Sequence, residues 1–313
     1  MDRKMNEIPP IVSRQSLGSE ETLAKLDLAC RDWGLFYLVD HEMDGVSQLF
    51  SHVREFFQRP RAEKLQVKRT RENTWGFFDN ELTKNKRDWK EIFDFGPADG
   101  SMYAQWPTDA FDFRHFCEGH YSACEQVSFE LLAAISKNMG VSETFLFHAF
   151  EPDHSSFMRL NYYPTCPIPD NTTPDSISAS GHLGVNHHTD SGALTILITD
   201  GVPGLEVYVR EQWRPVPPMD DALIVNIGDV VQVWSNDRYK APLHRVQVTE
   251  SEERMSIPFF FNPKHSCDYA PLTYKNAEAP KYSAINWGEF RAKRADGDYS
   301  DSGEEIQIEH YRI

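Results

Sequence analysis

The segment Asn186-His187-His188-Thr189-Asp190-Ser191-Gly192 sets an imidazole and a carboxylate two residues apart, at the head of the alternating run Ala193-Leu194-Thr195-Ile196-Leu197-Ile198-Thr199. Side chains of a strand alternate between its faces, so an extended chain here aims His188 and Asp190 one way and Thr189 the other. A neutral imidazole nitrogen and a carboxylate oxygen are two ligands for a divalent transition metal. His244, in Pro242-Leu243-His244-Arg245-Val246, is the natural third. Two imidazoles and one carboxylate on one face of an octahedral ion leave three positions open, which suits ferrous iron that must admit both a substrate and dioxygen. A histidine-x-aspartate triplet is a short, unspecific motif, and a lone strand histidine more often just makes a hydrogen bond. The metal reading therefore depends on what else the chain can bring to the same place.

Arg254-Met255-Ser256-Ile257-Pro258 offers an anion site. The charged stretch Thr249 to Glu253 is expected to turn the chain, pairing this strand with that of His244 as a hairpin, and period two puts Arg254 and Ser256 on one face. A guanidinium fork donates two parallel hydrogen bonds and a serine hydroxyl a third. Together they suit the far carboxylate of a small dicarboxylate whose near end chelates the metal. Without the metal ligands, Arg254 would read as an ordinary edge-strand arginine. Upstream, Arg159-Leu160-Asn161-Tyr162-Tyr163-Pro164 reads as another strand, with Asn161 and Tyr163 on one face and able to hydrogen-bond a bound acid. Asn226-Ile227-Gly228-Asp229, between two apolar runs, reads as a tight turn on the path from Asp190 to His244.

The composition narrows the field. The 313 residues carry 32 basic and 48 acidic side chains, a formal charge of −16, and nucleic-acid backbones are bound by basic surfaces, so nucleic acid is excluded as a partner. Cys30, Cys117, Cys124, Cys166 and Cys267 are odd in number, scattered and free of CxxC pairs. They read as free thiols in a reducing compartment, not a disulfide frame or a zinc cluster. The start, Met1 to Glu7, lacks the apolar core of a signal peptide. No run approaches the roughly 18 consecutive apolar residues of a membrane span. A soluble cytoplasmic protein is expected, monomeric or at most weakly self-associating, with no membrane partner.

The elements that must position these side chains follow from periodicity. Ile8-Pro9-Pro10-Ile11-Val12 suits an edge strand, Leu23 to Ala29 a helix, and Leu35-Phe36-Tyr37-Leu38-Val39 a buried strand. Val46, Leu49, Phe50, Val53, Phe56 and Phe57 mark an amphipathic helix closed by Pro60, and Tyr121 to Met139 a longer one ended by Gly140. Ser142 is placed to cap a short helix from Glu143 to Phe150, and Glu91 to Gly96 alternates as a strand. The aromatics of Thr74-Trp75-Gly76-Phe77-Phe78 either seal the core or line a pocket mouth, packing being their commoner service. From Phe157 onward, short alternating runs punctuated by Gly, Pro, Asn and Asp indicate an antiparallel sandwich or barrel. Asn171 to Ser176 reads as a solvated loop. The simplest architecture is one domain, mainly β with flanking α: a support region over 1–150, a β core over 151–265 and a helical segment over 266–313.

Taken in order, Ile8-Pro9-Pro10-Ile11, Cys30-Arg31-Asp32-Trp33-Gly34-Leu35-Phe36, Asn161-Tyr162-Tyr163-Pro164, His188-Thr189-Asp190, Asn226-Ile227-Gly228-Asp229, Ser235-Asn236, His244-Arg245-Val246, Arg254-x-Ser256 and Gly297-Asp298-Tyr299-Ser300 run nearly the whole chain. In order and spacing they resemble the iron(II)/2-oxoglutarate-dependent oxygenases, in the branch built like isopenicillin N synthase. That resemblance implies a double-stranded β-helix (jelly-roll) core backed by helices, with iron held by His188, Asp190 and His244. It places Arg254 and Ser256 on the C5 carboxylate of 2-oxoglutarate, with Asn161 and Tyr163 also touching the cosubstrate. Implied with them are Fe(II), 2-oxoglutarate, dioxygen and ascorbate as a stimulant, and a small organic metabolite that is hydroxylated, desaturated, demethylated or cyclised. Family position and strand parity nominate Trp75, Phe77, Phe95, Trp234, Phe261 and Asn262 to line its pocket. The segment between Tyr163 and His188 is longer than in plant members, which leaves the mouth of the site open. Two other functions remain: an oxidase of the isopenicillin N synthase or aminocyclopropane-carboxylate oxidase kind, which does not decarboxylate 2-oxoglutarate, and a non-catalytic jelly-roll binding protein.

Overall fold

A computed structural model describes residues 8–83, 86–98, 102–169, 181–272, 278–297 and 306–313. The start Met1 to Glu7, the loop Asn171 to Ser176 and Asp298-Tyr299-Ser300 lie outside these. The chain opens with β1 (Ile11–Ser13), α1 (Glu20–Asp32), β2 (Leu35–Val39) and α2 (Val46–Gln58). Ser19 caps α1 by accepting from the Thr22 N–H at 3.2 Å. Short α3 (Arg61–Lys64) leads to β3 (Gly76–Phe78), a small hairpin of β4 (Leu82–Thr83) and β5 (Lys86–Arg87), then β6 (Glu91–Phe95). The long helix α4 (Phe111–Asn138) begins well before Tyr121, since its polar first turns bury little beyond Phe113 and Cys117.

The helix expected over Glu143 to Phe150 is instead a set of turns and a 3-10 segment, Phe147–Ala149. Eight residues are too few to nucleate an α-helix without tertiary help. Here the tertiary contacts pull aromatics off a single stripe, Phe150 stacking on Phe261 at 4.1 Å between ring centroids and Phe147 meeting Phe129. The β-rich half follows: β7 (Phe157–Tyr163), β8 (Val185–His188), β9 (Leu194–Thr199), β10 (Leu205–Val209), β11 (Gln212–Pro215), β12 (Leu223–Ile227), α5 (Asp229–Trp234), β13 (Leu243–Val246) and β14 (Arg254–Phe261). β15 (Asp268–Tyr269), β16 (Ile285–Asn286) and α6 (Trp287–Gly297) close the chain. No helix among the described residues is long and apolar enough to cross a membrane.

Two sheets form the jelly roll. The larger has the order β1-β2-β12-β9-β14-β7-β6-β3 and the smaller β11-β10-β13-β8. Strands from the first third of the chain thus extend the larger sheet at both ends. Period-two alternation sorts its side chains. Phe93, Leu160, Ile196, Ile257 and Phe259 point to the face covered by α1, α2 and α4, in one continuous core. Burying such side chains contributes roughly 1.5–3 kcal/mol each, so this face holds the sheet flat against its helices. Between the sheets a smaller apolar cluster joins Tyr37 and Ile224 of the larger to Val185, Val207 and Val246 of the smaller. Arg159, Asn161, Tyr163, Arg254 and Ser256 occupy the same inner side, by the alternation of β7 and β14.

Two local expectations are corrected. β13 and β14 are not a hairpin: β13 lies between β10 and β8 in the smaller sheet, and β14 between β7 and β9 in the larger. Residues 249–253 carry the chain from one sheet to the other, because both hydrogen-bonding edges of each strand are taken by distant partners. The tight turn expected at Asn226-Ile227-Gly228-Asp229 is instead a junction from strand to helix. Asn226 and Ile227 end β12, and Gly228 is the N-cap of α5.

Candidate functional site

β8 and β13 are neighbours, and His188 sits directly opposite His244. Their rings stand 4.3 Å apart between centroids. Each is oriented by its own backbone: His188 Nδ1 is 2.8 Å from the Asn186 carbonyl and His244 Nδ1 is 3.0 Å from that of Pro242. A carbonyl only accepts, so both Nδ1 atoms carry the proton and both Nε2 lone pairs are left to bind a metal. β8 ends at His188, and Asp190 belongs to the loop that crosses to β9 in the opposite sheet, so the alternation expected through Asp190 does not extend that far. Tertiary contacts aim it instead. Asp190 Oδ2 accepts from Thr195 Oγ1 at 2.6 Å and from Asn226 Nδ2 at 2.8 Å, which turns Oδ1 to within 3.6 Å of His188 Nε2 and 3.8 Å of His244 Nε2. Gly228 lets the loop come this close: a Cβ there would lie 2.2 Å from the Gly192 carbonyl oxygen and 2.9 Å from that of Asp190.

The three ligand atoms lie within 4.8 Å of one another. Burial, and then the neighbouring His244, push the His188 pKa down to about 3 against the pull of Asp190. Burial works against the Asp190 charge, but His244 and His188, with the hydrogen bonds from Thr195 and Asn226, outweigh it and hold its carboxyl below the ordinary value. A neutral His188 imidazole and an ionised carboxylate are the protonation states that metal ligation requires. Sequence reasoning gives neither Thr195 nor Asn226 a site role, although Asn226 belongs to the motif Asn226-Ile227-Gly228-Asp229. Its signal was a polar side chain at the buried end of an apolar strand. Asn226→Ala is expected to weaken iron binding roughly 10–100-fold, the usual effect of losing an outer hydrogen-bond partner, measured by anaerobic metal titration. Wild-type affinity in the variant would remove Asn226 from the site.

Across the sandwich, Arg254 pairs in register with Tyr163 and Ser256 with Asn161. The Arg254 guanidinium lies over the Tyr163 ring at 5.1 Å, and Tyr163 Oη and Asn161 Nδ2 are each 3.4 Å from Ser256 Oγ. Arg254 Nε donates to the Val202 carbonyl at 3.2 Å, yet its Nη1 is buried with no hydrogen-bond partner among the described residues. A buried donor without a partner is costly, and a guanidinium N–H left so can be satisfied by an acid. These are the four side chains that the resemblance assigns to the cosubstrate, with Arg254 and Ser256 on its far carboxylate.

A small cavity of about 110 Å³ is bordered by His188, Asp190, Lys90, Arg159, Phe260 and Asn262. A larger one, about 870 Å³, shares Phe157, Arg159 and Arg291 with it and is also lined by Trp75, Tyr121 and His154. Of the six residues nominated for the substrate pocket, Trp75 and Asn262 stand on these cavities. Phe77, Phe95 and Phe261 do not: their strand positions put them on the helix-covered face, within the hydrophobic core. In β14 the structure differs from the expected parity by one residue: Phe260 borders the metal side and Phe261 stacks on Phe150. Trp234, on α5, packs in the same core against Phe150 and Tyr269.

Comparison with known proteins agrees with this geometry. Residues 154–263 match the 2OG-Fe(II) oxygenase superfamily, and residues 8–109 match the N-terminal region described as non-haem dioxygenase in morphine synthesis. The chain is 33% identical over 303 residues to a flavone synthase of Petroselinum crispum, covering 92% of this chain and 80% of that protein. It is 34% identical over 287 residues to gibberellin 20 oxidase 2 of Oryza sativa subsp. indica, covering 87% and 70%. The crystal structure of JOX2 in complex with 2OG, Fe, and JA superposes with a TM-score of 0.79 at 28% identity, covering 90% of this chain and 83% of that one. The chain belongs to the iron(II)- and 2-oxoglutarate-dependent oxygenases, enzymes that require both of those cofactors.

Proposed function

We propose that His188, Asp190 and His244 hold the ferrous ion and that Arg254, Ser256, Tyr163 and Asn161 hold 2-oxoglutarate, for the oxidation of a small organic metabolite. The observation that carries this is the pairing of three convergent ligand atoms with a buried guanidinium on the inner face of the opposite sheet, whose Nη1 has no partner among the described residues. With iron and 2-oxoglutarate bound, the cofactors couple decarboxylation to substrate oxidation: 2-oxoglutarate, dioxygen and a substrate C–H give succinate, carbon dioxide and, in the hydroxylating case, C–OH.

The protein's part is geometric and electrostatic. The backbone carbonyls of Asn186 and Pro242 keep the two imidazoles turned toward one point. Thr195 and Asn226 hold one oxygen of Asp190 back, so that the carboxylate would offer only the other to a metal. Arg254 and Ser256 would hold the far carboxylate of the keto acid by charge-assisted hydrogen bonds and so orient the molecule. The larger cavity, about 870 Å³, falls in the range of roughly 300–1,000 Å³ usual for small-molecule sites and supports a metabolite-sized substrate entering past Trp75, Phe157 and Arg159. We place the enzyme in the isopenicillin N synthase-like branch and in secondary metabolism, and in the cytoplasm, a setting that suits five buried, unpaired cysteines.

The test is anaerobically purified protein given iron, ascorbate, 2-oxoglutarate and oxygen with a panel of small metabolites, with succinate quantified. Succinate formation stimulated by one class of substrate is expected. Oxygen uptake and product without succinate would reassign Arg254 and Ser256 to a substrate's own carboxylate, as in the 2-oxoglutarate-independent oxidases.

A further inference from the structure

The sheet face that carries the cosubstrate group extends beyond β7. In register, Tyr162 lies opposite Glu91 and Asn161 opposite Ile92, so Lys90 is the next position along, in the row of Tyr163 and Arg254 and on their face. The Lys90 side chain is 3% exposed and borders the small cavity together with His188 and Asp190. Its Nζ pairs with Glu81 at 2.8 Å and Asp88 at 3.1 Å. Burial opposes a charge there, but Glu81 and then Asp88 outweigh it and hold the ammonium protonated.

An ammonium has three N–H donors. Two are met by Glu81 and Asp88, and no third acceptor bonds Nζ among the described residues. Glu81 is also bound by Arg159 at 2.8 Å and Arg69 at 3.3 Å, so it is not dependent on Lys90 alone for a counter-charge. Asp88 ties the lysine to the metal strand, accepting from Asn186 N at 3.2 Å and Nδ2 at 3.0 Å two residues before His188. The lysine is therefore a fixed cation, paired with two acids, on the small cavity that His188 and Asp190 also border and in the strand row of Tyr163.

We propose that Lys90 is a further cosubstrate-binding residue, giving its third N–H to the keto-acid dianion held between the metal ligands and Tyr163. This rests on the cosubstrate reading of the Arg254 group and adds to it a residue on a different strand. The experiment is anaerobic titration of the iron(II)-loaded protein with 2-oxoglutarate, followed by the visible charge-transfer absorption of the chelated keto acid, for wild type, Lys90→Met, Lys90→Arg, Asp88→Asn and Lys90→Met/Asp88→Asn.

Lys90→Met is expected to bind 2-oxoglutarate about tenfold more weakly or worse, as for loss of one charged hydrogen bond, with Lys90→Arg recovering most of that loss. Should the uncompensated acids unfold Lys90→Met, the double variant removes an acid with the base and is read against Asp88→Asn, from which the same drop is expected. A folded Lys90→Met, or a double variant compared with Asp88→Asn, that keeps its affinity would overturn the assignment of Lys90 while leaving the Arg254 group in place. A wild-type protein that binds no 2-oxoglutarate would overturn both.

Discussion

His188→Ala is expected to abolish iron-dependent turnover and to weaken iron binding beyond the roughly 10–100-fold seen when only an outer partner of a ligand is lost. Asp190 and His244 would remain, but with one imidazole gone the two cannot define one face of the ion. The fold should survive. His188 is half-buried at the end of β8, and its side chain makes one hydrogen bond, to the Asn186 carbonyl, worth about 1 kcal/mol. Activity loss and stability loss are thus separable in one variant. Metal content after anaerobic loading, 2-oxoglutarate-dependent oxygen uptake and a thermal melt check this together. A variant that melts as wild type and still holds iron at wild-type affinity would show that the three-residue cluster is not the metal centre.

Arg254→Lys should leave the iron centre intact and raise the KM for 2-oxoglutarate roughly 10–150-fold, the equivalent of losing a charge-assisted hydrogen bond of about 1.5–3 kcal/mol. The lysine keeps the positive charge but not the planar fork, and it is shorter in reach where Arg254 is buried over the Tyr163 ring. Because the far carboxylate takes no part in the bond changes, the loss should fall on KM more than on kcat. Steady-state kinetics in 2-oxoglutarate, with the primary substrate saturating, decides it. An unchanged KM would remove Arg254 from the cosubstrate pocket, and an unchanged KM alongside a fallen kcat would make it a structural residue of β14.

Much of the chemistry was legible in residue types and their spacing. A histidine and aspartate two apart, a distant second histidine and an arginine two before a serine are enough to nominate a metal and its acid. Alternation also gave the shared face of Asn161 with Tyr163 and of Arg254 with Ser256 correctly, because all four lie within the regular paired register of β7 and β14. The same rule failed where strands end or where two aromatics stand side by side. Asp190 lies past the end of β8, and Phe260-Phe261 offers parity no chemical clue as to which ring turns outward.

By itself, the sequence determined which atoms are available to do chemistry, and the period of two that sends them to one side of a strand. The tertiary structure alone decided which strands become neighbours. It split the expected β13–β14 hairpin between two sheets, brought Thr195 and Asn226 to one oxygen of Asp190, and carried Lys90 into the row of Tyr163 and Arg254. The reason is physical: backbone hydrogen-bonding edges are alike on every strand, so local residues cannot name a partner. That choice is made by burial summed over the whole sheet, where a shift of one residue would turn every core side chain to water.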